Sequence, residues 1–281
     1  MRKTLSVIVL LLLASRLCHP LMAQASSEVI FNARWLDKEY QRYELRCSSY
    51  ALQREDTTEQ ETFVCQMDVI VKDSTYNAFF LEYALSDFKW LGPHYLNTRW
   101  VHSLKDFRIV VKASPVGVLQ EIQDSKTFSE ALDKSIDDLF KHYGSLPELE
   151  AREKLYALRA DVQAWILSSI VQFHSAYGLA YREGEVLEVP DKMAWDEHSE
   201  PMNVLHYKKL EDNSEGVATL VTATVPVDTL YAADSTILPF EQTSAMMMHI
   251  PTGWPVYTYR QLEFGTQAWK EGLTIEISLK K

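Results

Sequence analysis

The sequence lacks the local motifs by which the commonest enzyme classes are recognised. It has no G-x-S-x-G nucleophile turn, no H-E-x-x-H zinc helix, no G-x-x-x-x-G-K-[ST] phosphate loop, no G-x-G-x-x-G turn after a strand and no EF-hand loop. These hydrolase, zinc-peptidase, nucleotide and calcium sites are therefore unsupported, and no cofactor is indicated. A catalytic group assembled from distant residues would leave no such motif, because chemistry does not fix the order of its members along the chain.

Basic residues are in the minority. The 281 residues include 28 Lys and Arg against 39 Asp and Glu, which gives a formal net charge of −11. Proteins that bind nucleic acid or an anionic lipid surface usually present a basic face to the phosphates. The charge balance therefore argues against DNA, RNA or an anionic membrane surface as the partner.

Only one long apolar run is present, near the N terminus. Two basic residues precede the run from Leu5 to Ala14, and a polar-to-small stretch that ends in Ala23-Gln24-Ala25 follows it, in the order typical of a secretory signal peptide. The run is too short to span a bilayer, which takes roughly 20 residues. We predict cleavage after Ala25, which removes three basic residues and no acid and so changes the net charge from −11 to −14. The expected product is an exported chain, periplasmic or extracellular, without a transmembrane segment.

Cysteine is also scarce, and only Cys47 and Cys65 follow the predicted signal peptide. In an exported protein a disulfide is the default for such a pair. Period-2 patterns around both cysteines predict two strands joined by the polar loop 53–60, and placing Cys47 opposite Cys65 also places Leu45 opposite Met67, so the apolar faces match. We therefore predict a Cys47–Cys65 disulfide that contributes about 3 kcal/mol by restricting the unfolded chain. A reactive thiol or a metal pair is the alternative, although nothing beside either cysteine indicates an activated thiolate.

The remaining patterns predict two β blocks around a helical insert. Alternating polar and apolar residues predict strands over 27–124 and 183–281, whereas apolar residues spaced by three and four predict two helices within 125–178. The helices are expected over Ser129 to His142 and from after Pro147 to a C-terminal glycine, Gly178. The fold class is therefore α+β, a curved, half-barrel-like antiparallel sheet with two helices inserted mid-chain and packed on one face.

No linker, repeat or low-complexity tract divides the chain, and we predict one domain over 26–281. A split near residue 125 or 180 is the alternative, because all the helical pattern lies between the two β blocks. The order of a strand meander, helices over Ser129 to Tyr177, returning strands and a Thr252-Gly253-Trp254 turn resembles the half-barrel envelope carriers of the lipoprotein-carrier type. It also resembles uncharacterised exported bacterial envelope proteins. The resemblance implies a sheet that binds a ligand or a partner, and it assigns no individual residue.

Aromatic residues are concentrated in one part of the chain, where eight of the 25 residues from Tyr76 to Trp100 are Phe, Trp or Tyr. Large side chains with a polar handle can line an apolar cavity, and they can equally fill a core between sheet and helices. The candidate ligand-binding residues are Trp90, Tyr95, Trp100, Trp165 and Trp254.

The densest polar cluster follows Trp195 and contains Asp196, His198 and His206, residue types that suit zinc. His198 and His206 are eight residues apart with Pro201 between them, so they cannot share one helical face. The alternative is an exposed acidic loop followed by a strand with a surface histidine. These three residues are the candidates for a zinc site.

Three functions follow, in this order. The first is a non-enzymatic binding protein of the cell envelope that holds an apolar small molecule, a lipid or a segment of an envelope protein on its aromatic-rich sheet. The second is a metal-assisted hydrolase acting on an extracellular polymer. The third is a structural or assembly component of the envelope, docked by strand addition at an edge strand such as Val256 to Phe264.

Overall fold

The structure is a computed structural model that describes residues 28–53, 56–142, 148–193, 201–229, 239–265 and 269–280. The predicted signal peptide, residues 1–25, lies outside the described residues.

Strands dominate the described part of the chain. The strands are β1 (Glu28–Ile30), β2 (Tyr40–Gln53), β3 (Asp56–Thr75), β4 (Ala78–Leu91), β5 (Phe107–Ala113), β6 (Leu119–Ile122), β7 (Ala180–Arg182), β8 (Val186–Met193), β9 (Met202–Ser214), β10 (Val217–Pro226), β11 (Phe240–His249), β12 (Trp254–Gly265) and β13 (Trp269–Leu279). The helices are α1 (Tyr95–Ser103), α2 (Ser125–His142) and α3 (Glu148–His174).

Eleven strands form one antiparallel sheet in the order β6-β5-β4-β3-β2-β13-β12-β11-β10-β9-β8, and β1 pairs separately with β7. The pairing of β13 with β2 joins the strands before and after the helices in the same sheet. The sheet is curved and does not close, so β6 and β8 are its edges. The predicted α+β class and curved antiparallel sheet are confirmed.

The structure adds a third helix to the two that were predicted. The aromatic run after Tyr76 was expected to be all strand, but β4 ends at Leu91 and α1 begins at Tyr95. Pro93 lies between them, and proline, which has no N–H to donate to a ladder and a fixed φ, suits the entry to a helix better than the continuation of a strand.

The predicted disulfide is wrong, because Cys47 and Cys65 are free and buried. Cys47 pairs with Phe63 and Cys65 with Leu45, so the register differs from the predicted one by two residues. The two cysteines are therefore diagonal neighbours, for which a Cα separation of about 7–8 Å is typical, whereas a disulfide needs roughly 4.4–6.8 Å. Burial raises the pKa of Cys47 to about 12, so this thiol stays protonated.

The helices cover one face of the sheet, which we call the inner face. α1 packs on β4, α2 on β5, and α3 crosses β13 and β12. The core between these elements contains fully buried aromatic residues such as Tyr43, Tyr83 and Phe173, whose rings meet edge to face. The predicted edge strand, Val256 to Phe264, is part of β12, which pairs with β11 and β13 on its two sides. That prediction is wrong, and strand addition at this position is blocked.

Candidate functional site

Residues that pair with one another on successive strands form a row across the inner face, which we call the register row. Its side chains change from apolar to polar between β2 and β9. Paired residues on successive strands are Cys47 (β2), Ile275 (β13), Arg260 (β12), Ser244 (β11), Thr222 (β10) and Lys208 (β9). The first two are fully buried under the helices. Polar residues at the last four positions would be costly in a closed core, because buried polar groups need partners. Along this row, the inner face of β9 to β12 is therefore built differently from that of β2 and β13.

A cavity of about 620 Å³ lies above these polar positions, and we call it the inner-face cavity. It is bounded by the C-terminal end of α3, by the residues that follow α3, and by β8 to β12. Apolar side chains line part of it, including Val171, Leu179, Val189 and Met193. Its size lies within the roughly 300–1,000 Å³ of small-molecule sites, which are mostly apolar with a few placed polar groups.

The polar side chains of this cavity form a connected network across four strand pairs. Arg260 donates from Nη2 to Oε1 of Gln242 over 3.0 Å, and Nε2 of Gln242 donates to Oγ1 of Thr224 over 3.0 Å. Because the Thr224 hydroxyl accepts there, its proton can be donated to Nδ1 of His206, 2.8 Å away. Nε2 of His206 then donates to Oδ2 of Asp191 over 3.2 Å. The network fixes the orientation of these side chains before any ligand enters.

Two cations in the cavity lack carboxylate partners. Lys208 is buried and donates from Nζ to the carbonyl oxygen of Ser175, just beyond α3, over 2.8 Å. Arg260 is largely buried, and its Nε has no hydrogen-bond partner among the residues that the structure describes. Burial lowers the pKa of Arg260, and burial lowers the pKa of Lys208 against the opposing effect of Asp191. Over the described ranges of the chain, no carboxylate forms an ion pair with either cation.

A hydrogen-bond acceptor in the cavity is also unmatched. Gln172 of α3 donates from Nε2 to Oγ1 of Thr258 over 3.0 Å, whereas its buried Oε1 has no partner. A buried polar atom without a partner costs about 1–3 kcal/mol, so such atoms usually mark bound water, an ion or a ligand. Orphaned donor and acceptor atoms therefore belong to the same cavity.

The predicted aromatic site residues lie elsewhere. The four tryptophans Trp90, Trp100, Trp165 and Trp254 are all buried in the core. Trp90 stacks on Trp165 with the ring centroids 6.1 Å apart, and Trp100 donates from Nε1 to Oγ of Ser135 over 2.7 Å. None of the four lines the inner-face cavity.

Trp254 and Tyr95 have contrasting surroundings. Trp254 donates from Nε1 to Oε1 of Glu39 over 2.8 Å and packs on Trp35 at 5.0 Å between ring centroids. Tyr95 is exposed and lies under the guanidinium of Arg99, 4.7 Å from the ring centroid. It lines a separate cavity of about 600 Å³ beside Glu61. The five residues therefore do not converge on one site, and their role in ligand binding stays a prediction.

The metal candidates are only partly covered by the structure. Asp196 and His198 lie outside the described residues. His206 is the one candidate of the three that the structure describes, and it binds Thr224 and Asp191. Within the described ranges, no group of three or more His, Cys, Asp or Glu side chains is arranged to hold a metal ion.

The residues that the sequence reasoning missed are the cavity's polar groups, above all Lys208 and Arg260. Their signal was polar residues at alternate positions of otherwise apolar strands, as in the order Val204, His206, Lys208, Leu210 along β9. That signal was ambiguous, because the opposite face of β9 also carries large apolar side chains, and only the register shows which face packs against α3.

Comparison with known proteins gives only distant structural likenesses, one of which is described here. No protein-family model and no curated protein sequence matches the chain. A solved structure described as "Lipid-protein interactions in lipovitellin" aligns with a TM-score of 0.46 at 10% identity. The alignment covers 88% of this chain and 25% of that one, so the chain spans a quarter of that chain's length. In the ranges described here, no helix has both the length and the apolar character needed to cross a bilayer.

Proposed function

We propose that this protein is a non-enzymatic binding protein and that the inner-face cavity holds a small amphiphile of the lipid class. The observation that supports this most directly is the cavity itself, about 620 Å³ with an apolar wall from α3 and β8 and a preorganised polar floor from β9 to β12. An amphiphile matches both surfaces, because its chain removes apolar area from water while its polar end meets the network.

The proposal is tested by filling the cavity from its floor. Ser244 lines the cavity, and a Ser244→Phe variant would place an aromatic ring in it. The neighbouring Thr243 is exposed on the other face of β11, so Thr243→Phe is a matched control with the same added ring. The neutral dye N-phenyl-1-naphthylamine serves as the probe, and monooleoylglycerol serves as the competitor.

We expect the unmodified protein to bind the dye and monooleoylglycerol to displace it. Ser244→Phe should weaken dye binding at least tenfold, and Thr243→Phe should leave it within about twofold of the parent protein. Circular dichroism and thermal melting establish that both variants fold. Absence of dye binding in the parent protein, or equal binding by a folded Ser244→Phe variant, would refute the proposal.

Export remains part of this proposal. The mass of the denatured protein, purified from its native host, tests this. A mass that matches a chain beginning at Ser26 would support cleavage after Ala25 and a periplasmic or extracellular location, whereas a mass that includes residues 1–25 would contradict it.

A further inference from the structure

The charge inside the inner-face cavity is opposite to the charge of the whole chain. The chain carries a formal net charge of −11, yet Lys192, Lys208 and Arg260 line the cavity against a single described carboxylate, that of Asp191. Asp191 is already engaged by His206 and has a largely exposed side chain at the rim. Among the described residues, the lining of the cavity is therefore locally cationic.

Arg260 is the stronger of the two interior cations as a ligand-binding group. A guanidinium has five N–H donors and stays charged in proteins, so burial does not neutralise it. The described structure gives it one partner, Gln242, which is a neutral amide, and leaves its Nε without an acceptor. A largely buried guanidinium without a carboxylate is costly unless an anion completes it.

Lys208 supplies the second charge from the opposite side of the cavity floor. It lies three strands from Arg260 in the same register row, about 14 Å between Cα atoms at the usual strand spacing, with Ser244 and Thr222 between them. One of its three donors binds the carbonyl of Ser175, which leaves two for another acceptor. Both long side chains line the same cavity, and the row between them carries hydroxyl groups.

We propose that the ligand's polar end is an anionic oxygen group, a carboxylate or a phosphate, bound by Arg260 and Lys208. This inference rests on the proposed function, since it assigns the headgroup of the amphiphile that the cavity holds. Charge-assisted hydrogen bonds from a guanidinium to an oxyanion are about twice as strong as those between neutral groups. They would give Nε of Arg260 the acceptor that it lacks.

Three ligands with the same oleoyl chain separate the headgroup from the chain. Monooleoylglycerol is neutral, oleate carries a carboxylate and oleoyl lysophosphatidate carries a phosphate. Their dissociation constants for the purified protein are measured at neutral pH by displacement of N-phenyl-1-naphthylamine, below the concentrations at which they self-associate. We expect at least one anion to bind tenfold or more tightly than monooleoylglycerol, and the tighter of the two identifies the oxyanion.

Variants then test whether the tighter binding of the anion depends on the cavity. The preference is the ratio of the dissociation constant of monooleoylglycerol to that of the tighter anion. Arg260→Gln should reduce the preference to less than threefold while leaving the affinity for monooleoylglycerol nearly unchanged, and Arg260→Lys should restore part of it. Lys209→Gln is the matched control, because Lys209 is the neighbour of Lys208 on the outer face of β9, paired with Glu211, and the variant loses the same charge. It should keep the full preference.

The outcomes distinguish the two proposals. Equal binding of all three ligands by the parent protein would overturn the anionic headgroup and leave the lipid-binding proposal standing. Binding of none of them would overturn the lipid-binding proposal itself. A preference that survives in Arg260→Gln and is lost in Lys209→Gln would place the anion outside the cavity and contradict the assignment.

Discussion

The inner face of the sheet is covered differently in two parts of the molecule. On β2 to β5 and β13, the helices press apolar side chains onto the strands, and Leu45, Tyr83 and Ile277 are completely buried. On β8 to β12 a cavity lies beside the end of α3, and there the strands present Lys208, Arg260 and their hydroxyl and amide neighbours. Leu220, Met246 and Met248 of the same strands are buried in the core. We call these the filled half and the open half.

The difference follows from where α3 ends. α3 crosses β13 and β12 and stops at His174, so strands beyond β12 have no helix of comparable length above them in the described structure. Lys208 reaches the carbonyl of Ser175 at this end, where a cation offsets the negative pole of the helix. The filled half therefore provides stability, and we expect the open half to provide binding at the cost of stability.

The largest expected effect is a difference in the free energy of unfolding between variants at two residues of α3. Phe173 is completely buried against Tyr43, Tyr83 and Trp254 in the filled half, whereas Val171 is half exposed and lines the cavity. Phe173→Ala should lower the free energy of unfolding by about 4 kcal/mol, because it removes apolar contacts and leaves a void. Val171→Ala should cost less than about 1 kcal/mol.

Chemical denaturation of both variants measures this difference. Comparable losses at the two positions would mean that the open half is packed as closely as the filled half, and the distinction would fail.

The next effect is the response to acid of His174, which lies at the boundary of the two halves, because it bonds to Tyr83 of the filled half and also lines the inner-face cavity. His174 is buried, its Nδ1 donates to the carbonyl of Gly117 over 2.7 Å, and its Nε2 accepts from the hydroxyl of Tyr83 over 2.8 Å. Burial lowers the pKa of His174 from 6.5 to about 4. The unfolded chain therefore binds this proton more readily, and stability is lost as the pH falls from about 6.5 towards 4. The loss should reach about 3 kcal/mol at most.

Carboxylates titrate in the same range, so the effect is measured against a variant. His174→Asn combined with Tyr83→Phe removes the titrating ring without orphaning a buried hydroxyl. The free energy of unfolding of the parent protein should fall more steeply between pH 6.5 and 4 than that of the double variant. Parallel profiles would show that His174 does not destabilise the folded state in acid.

The sequence predicted elements whose pattern depends on neighbouring residues alone. The strands predicted over 183–281 include β9 and β10, which pair with each other, and residues at the predicted apolar spacing of α3, such as Leu155, Val162 and Phe173, are buried. The register of β2 against β3 could not be chosen this way, because a shift by two residues returns every side chain to the same face. Matching Leu45 with Met67 or with Cys65 buries apolar residues equally well.

The polar residues of the inner-face cavity were missed for a related reason. Aromatic density identified buried tryptophans such as Trp90 and Trp254, because large apolar side chains fill cores as readily as they line cavities. Lys208 and Arg260 were not recognisable as inner-face residues, since the outer face of the same strands also carries apolar side chains. Their position depends on three successive pairings, β9 with β10, β10 with β11 and β11 with β12, which place Lys208 and Arg260 in one row although they are far apart along the chain.

The smallest expected effect is an increase in the free energy of unfolding. It tests whether the residues of the open half lower the stability of the protein in favour of ligand binding. Arg260→Met keeps most of the side-chain length and removes a largely buried charge that has only a neutral amide as partner. We expect the free energy of unfolding without ligand to rise by about 1 kcal/mol, because the desolvation cost of the guanidinium disappears. Arg42 is exposed and bound to Asp68, so Arg42→Met should instead lower stability slightly.

The decisive comparison is between stability and ligand preference in the same Arg260→Met protein. A variant that melts at a higher temperature but no longer prefers an anionic ligand would show that Arg260 is retained for recognition rather than for folding. A variant that is less stable without ligand would mean that the Gln242 bond and the packing of the guanidinium outweigh its burial. The polar residues of the open half would then stabilise the fold as the apolar residues of the filled half do. The two halves would differ in residue composition and not in their contribution to stability.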